Sequence, residues 1–159
     1  MSLENARRDL ESRGFAHLIV HHETGIATVQ DAAATIGCEE KRIAKTLSFL
    51  QNDVPVLIVM AGHVKIDNRK YKDRFGVKAK MIQADQVEVL IGHQPGGVCP
   101  FGIPEGVQVW LDDSLKAFPT THVACGSLQD ELELTPEQME AASLALGWVA
   151  VTKEPTPAS

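Results

Sequence analysis

No apolar run in this chain approaches the ~20 residues that a membrane-spanning helix requires. The N-terminus has no basic segment followed by an apolar core, so no secretory signal is expected. Cysteine is scarce: Cys38, Cys99 and Cys125 are odd in number, far apart and without a CxxC pair. That argues against a disulfide framework and for reduced thiols in a cytoplasmic protein. Neither HExxH nor zinc-ligand spacing occurs among the six histidines (His17, His21, His22, His63, His93 and His122), so no metal and no cofactor are expected. GxSxG and the Gly-Lys-Ser/Thr of a Walker loop are missing as well. Internal repeats, low-complexity segments and an interdomain linker are not found.

What is present fits one domain. The chain has 159 residues, 44% of them hydrophobic, an ordinary fraction for a globular protein. A single domain is expected over 1–154, with a disordered tail at 155–159. Net charge is −6, which on its face disfavours nucleic acid. The charge is uneven, however. Lys65, Arg69, Lys70, Lys72, Arg74, Lys78 and Lys80 stand against only Asp67 and Asp73. Such a basic face can engage a phosphate backbone, or it can be a solvated helix face.

Helical spacing predicts helices over 2–13, from Thr28 to Gly37, from Asp67 to Gly76, from about Asp85 to Gly92, and from Thr135 onward. Thr28 and Thr135 open capping-box patterns, and Pro136 sits at a first helical position. Ile66 and Tyr71 are spaced as a hydrophobic staple. Strands are predicted at 16–21, 46–50, 54–61, 79–82, 107–111, 122–125, 131–134 and 148–151, with a hairpin turn at Asn52-Asp53. The continuous apolar run at 54–61 predicts a strand buried on both faces. Strands and helices interleave irregularly, which predicts an α+β protein with a mixed, barrel-like sheet surrounded by helices.

Two segments carry the candidate chemistry. Lys45 stands at the mouth of an apolar strand, where its stem can be held and its ammonium delivered to one place. Gly96-Gly97-Val98-Cys99-Pro100 is a glycine-rich loop stiffened by proline. Its backbone can approach a ligand closely and aim N–H groups at an oxyanion or a phosphate. Cys125-Gly126-Ser127 forms a second small-residue turn. Cys125 or Cys99 could be a nucleophile only beside a positioned base, for which His93 and His122 are the candidates.

Taken in order, these landmarks resemble the YbaK and prolyl-tRNA synthetase editing-domain family of aminoacyl-tRNA deacylases. The resemblance rests on Thr28-Val29-Gln30-Asp31-Ala32-Ala33, Arg42-Ile43-Ala44-Lys45-Thr46-Leu47, Val64-Lys65-Ile66-Asp67, Gly96 to Gly102, and Ala124-Cys125-Gly126-Ser127. It implies a small closed mixed barrel wrapped by helices, and hydrolysis of the ester of a mischarged tRNA, often the proline tRNA. It assigns the essential lysine to Lys45 and the Gly-x-x-x-Pro loop to Gly96, Gly97 and Pro100. Thr46 then helps shape a pocket whose expected lining is Thr28, Val29, His63, Val98, Cys99, Cys125, Gly126 and Ser127. Lys65, Arg69, Lys70 and Lys72 become candidate tRNA contacts, and prolyl-tRNA synthetase a candidate partner. A non-catalytic tRNA- or synthetase-binding module of the same fold stays open beside the deacylase.

Overall fold

A computed structural model describes residues 2–155. Apart from Pro155, the expected tail lies outside them. Five α-helices are described: α1 Ser2–Ser12, α2 Val29–Ile36, α3 Asn68–Phe75, α4 Ala84–Ile91 and α5 Pro136–Ser143. The strands are β1 Val20–His21, β2 Ile43–Gln51, β3 Val54–Ala61, β4 Lys65–Ile66, β5 Gln108–Asp112, β6 Thr121–Ala124, β7 Asp130–Leu134, β8 Trp148–Val149 and β9 Thr152–Lys153. Seven strands form one mixed sheet in the order β1-β7-β6-β2-β3-β5-β8, and β4 pairs with β9 in a separate ribbon. The fold is α+β as expected. The sheet is curved around by helices but not closed, because β1 and β8 are its two edges.

Local chemistry explains the elements. Thr28 caps α2 by accepting the Asp31 amide, and Asp67 caps α3 by accepting the amides of Arg69 and Lys70. Thr135 and Gln138 close a capping box at α5. Asn52 and Asp53 both take positive φ, 49° and 69°. Those values are the left-handed pair that a two-residue hairpin turn requires, and β2 pairs with β3 from Ala44–Ala61 to Gln51–Val54.

β3 is the spine. Leu57 and Val59 point into one apolar cluster with Leu10, Ile91, Phe101 and Leu132, while Val56, Ile58 and Met60 point into a second with Phe49 and Tyr71. Both faces are buried, as the unbroken apolar run predicts.

Some expectations shift. Residues 16–18 form a 3-10 turn, leaving only Val20–His21 as strand. Residues 79–82 are extended but make only an isolated bridge, Phe49 to Met81. α4 starts at Ala84, so Asp85 lies within its first turn and Gln83 precedes it without a side-chain cap. Among the described residues, no helix is long and apolar enough to cross a membrane.

Candidate active site

The site arises where the sheet splits. β2 and β6 run parallel and pair only at Ile43–His122 and Ala44–Val123. Farther along, the same edge of β2 is taken by residues 80–82: the Ile82 amide donates to the Ser48 carbonyl at 3.0 Å, and the Leu50 amide to the Lys80 carbonyl at 2.9 Å. Between these two partners the edge of β2 from Lys45 to Leu47 is left uncovered. A cavity of about 430 Å³ opens there.

Strand alternation decides what enters it. The Gly62 amide donates to the Ile43 carbonyl, so the odd residues of β2 direct their main-chain groups to β3. The even residues face the other way, as Ser48 and Leu50 confirm by bonding residues 80–82. Thr46 belongs to the even set, so its N–H and C=O point into the gap. Its hydroxyl is buried without a hydrogen-bond partner.

Side chains alternate too. Ile43 and Lys45 lie on the face that α2 covers, where Ile43 packs with Ile26 and Ala32. His122, Ala124 and Glu131 share that face, with Ala124 opposite Glu131 in the β6–β7 register. Continuing the β2–β6 register by one residue puts Lys45 in one row with Ala124 and Glu131. Lys45 and Glu131 then stand two strand spacings apart, ~10 Å. The cavity runs between them, roofed by Thr28, Val29 and Ile36 and walled opposite by Met81, Val87, Gly96 and Val98.

Lys45 donates to the carbonyls of Gly62 at 3.2 Å and Val64 at 2.5 Å. An ammonium has three donors, so one remains. Burial holds its pKa below the ordinary lysine value. Gly62 itself sits where no side chain fits. A Cβ there would meet Val29 Cγ1 at 2.7 Å and the Glu40 carbonyl at 2.8 Å.

In the glycine loop, Gly96 takes φ 88°, which favours glycine. The Gly97 amide is already used: it donates to the Gln94 carbonyl at 2.9 Å. Gly97 shapes the turn and is not part of the cavity lining, which Gly96 and Val98 join. His93 is fully buried. Its Nε2 donates to the Phe101 carbonyl at 2.6 Å, joining the residue before the loop to the one after Pro100.

Six expected site residues therefore line one cavity: Thr28, Val29, Lys45, Thr46, Gly96 and Val98. The others lie elsewhere. Cys99 and Pro100, at the far end of the loop, are buried and outside the cavity lining, and Cys125 and Gly126 are buried as well. Burial pushes the Cys99 thiol well up and the Cys125 thiol to about 12, so neither is a nucleophile at neutral pH. Ser127 donates to Asp130 and accepts the amides of Gln129 and Asp130, closing the β6–β7 turn. His63 sits between the two residues whose carbonyls hold Lys45, with Nε2 3.2 Å from Glu154. Lys65, Arg69, Lys70 and Lys72 are exposed, and Lys70 reaches the Thr152 carbonyl at 2.9 Å.

The sequence gives no notice of Glu131. It is buried, lines the cavity, and accepts from His22 Nε2 at 2.7 Å and His122 Nδ1 at 2.9 Å. Among the described residues, no set of three His, Cys, Asp or Glu side chains could hold a metal ion.

Residues 23–142 match the model of a family described as the aminoacyl-tRNA editing domain. An uncharacterised protein of Bacillus subtilis (strain 168), YwhH, is 43% identical over 97% of this chain and 99% of its own length. The proline–tRNA ligase of Streptococcus sanguinis (strain SK36) is 30% identical over 68% of this chain, a match spanning only 17% of the ligase. Among solved structures, a candidate trans-editing enzyme for prolyl-tRNA synthetase superposes with a TM-score of 0.85 at 28% identity. That match covers 97% of this chain and 98% of the other.

Proposed function

The chain belongs to the aminoacyl-tRNA editing domain family, and on that premise we propose that it is a trans-editing deacylase. It hydrolyses the ester between a wrong amino acid and its tRNA, the proline tRNA being the favoured substrate. The observation that supports this reading is that Lys45, Thr46, Gly96 and Val98 line one cavity.

An aminoacyl ester is already activated, so the enzyme has to place a water and stabilise the developing charge. Water adds to the ester carbonyl, and the tetrahedral oxyanion forms against the amides of Gly96 and Val98. The carbon–oxygen bond to the ribose then breaks. The proton from water passes to the departing ribose oxygen, with the neighbouring ribose hydroxyl as its shuttle. The amino acid leaves as a carboxylic acid, which gives its proton to solvent and becomes a carboxylate. Lys45 presents its remaining N–H to the terminal phosphate or the ester carbonyl and so orients the substrate. No protein nucleophile takes part, in keeping with the buried thiols. The basic residues of α3 and of 78–80 lead toward Met81 at the cavity wall, a path suited to the acceptor stem.

The test is ester release from proline tRNA charged with a panel of small amino acids, wild type beside Lys45→Ala. Release by wild type, lowered on the order of 10²-fold or more in the variant, supports the deacylase. Binding of the charged tRNA without release from any of the panel would favour the non-catalytic binding module.

A further inference from the structure

The cavity holds two opposite charges that do not neutralise each other. Among the described residues lining it, Lys45 is the cation and Glu131 the carboxylate, and no ion pair joins them. The Lys45 ammonium turns away to Gly62 and Val64. Glu131 is 4% exposed and is held in place by two imidazoles: His22 and His122, the latter itself a lining residue, each take one of its oxygens. A carboxylate has about four acceptor positions, so two are left. The wall between the two charges is small, because Ala124 is the row's middle residue. A buried carboxylate costs stability unless it is matched, and the acceptor positions that its two imidazoles leave suit a donor held in the cavity.

We propose that Glu131 binds the free α-ammonium of the aminoacyl group, with His22 and His122 as its positioning residues. The proposal rests on the deacylase reading and narrows its substrate class. The site takes esters whose amino nitrogen is unblocked and discriminates against N-formyl-, N-acetyl- and peptidyl-tRNA. An acylated nitrogen loses its charge and two of its donors, and the added carbonyl oxygen sets a partial negative charge against the carboxylate. A protein working beside the ribosome's own substrates would thereby spare growing and initiating chains.

Proline tRNA charged with alanine, serine, threonine or cysteine is prepared with the amino group free and, in parallel, acetylated. Release is measured for wild type, Glu131→Gln and Glu131→Asp. Wild type is expected to favour the free form on the order of 10–100-fold, the value of one charge-assisted hydrogen bond. In Glu131→Gln that ratio should fall toward one, and Glu131→Asp should restore part of it. A wild-type ratio near one would overturn the ammonium assignment while leaving the deacylase intact. So would equal losses on both forms in Glu131→Gln with the ratio preserved, since that is the signature of a purely structural carboxylate. Release of neither form by wild type would instead bring down the deacylase reading itself.

Discussion

His93 Nε2 donates to the Phe101 carbonyl at 2.6 Å, so the glycine loop is closed into a ring by the residues on either side of it. Donation through Nε2 leaves Nδ1 bare, and Nδ1 is buried without a partner. Burial holds the pKa of this histidine below its ordinary value, which keeps it neutral at pH 7. His93→Phe preserves a ring but strands the carbonyl. The expected result is a loss of about 1–3 kcal/mol in stability and a fall in kcat of tenfold or more with a smaller change in KM. The unfolded state takes up the proton that the folded state refuses, so wild-type stability should decline as pH drops through about 6.5. His93→Phe should flatten that decline. An unchanged kcat in single-turnover release would mean the ring is structural only.

Gly62 and Gly97 make an instructive pair. A Cβ on Gly62 would meet Val29 Cγ1 at 2.7 Å and the Glu40 carbonyl at 2.8 Å, whereas one on Gly97 would find nothing closer than 3.6 Å. Gly62→Ala should therefore push α2 off the sheet, cost about 1–3 kcal/mol, and displace the carbonyl that anchors Lys45. Gly97→Ala should leave stability within about 0.5 kcal/mol. Thermal melts of the two variants decide the point. A Gly62→Ala protein as stable and active as wild type would show that the α2 roof is not fixed by this contact.

These contrasts also show which parts were legible beforehand. Thr28, Asp67 and Thr135 announce their helices because a cap acts within three residues. Asn52-Asp53 announces a hairpin, and the apolar run of β3 its burial. Lys45 and Gly96 could be placed together only through the resemblance, since nothing local links positions so far apart. Glu131 was invisible for a physical reason. In Asp130-Glu131-Leu132-Glu133-Leu134 it reads as an outward residue of an alternating strand. Only the register of β7 on β6, with His22 arriving from beyond β1, turns that outward face into a cavity wall. The Gly97 amide escaped notice similarly: a glycine pair suggests two available donors, and the turn to Gln94 consumes one.

The thiols yield a third prediction. Cys99 and Cys125 are fully buried and their pKa values are raised by burial, Cys125 to about 12. Cys38 is partly exposed, and burial raises its thiol as well. Iodoacetamide at pH 7.5 should label the native protein slowly, at Cys38 first, and leave deacylation unchanged. Mass spectrometry of the labelled protein, paired with an ester-release assay, reads both. Rapid inactivation tracking modification of Cys125 would reopen a cysteine mechanism.

The exposed cations of β4 and α3 should contribute through phosphate contacts alone. Converting Lys65, Arg69 and Lys72 to Glu is expected to weaken tRNA binding and to flatten its dependence on salt, by up to about 0.9 in slope per contact removed. Release from a short aminoacylated acceptor-end fragment should change far less. Lys70 is left out, because its head group also holds the Thr152 carbonyl. A salt slope identical to wild type would place the tRNA on another face.

Lys45 sets activity and stability against each other at high pH. Desolvation lowers its pKa, so the ammonium is lost below the ordinary lysine value of about 10.4. After subtraction of the uncatalysed ester loss, kcat/KM should fall along an alkaline limb that begins under that value. Over the same window the unfolded chain binds more protons at this position than the folded one, so stability should rise with pH. Lys45→Met should abolish most release and remove the rise. Lys45→Arg keeps a charge throughout and should lack the alkaline limb in whatever activity it retains. Activity and stability falling together in wild type over that window would show that alkaline loss is unfolding, not deprotonation of Lys45.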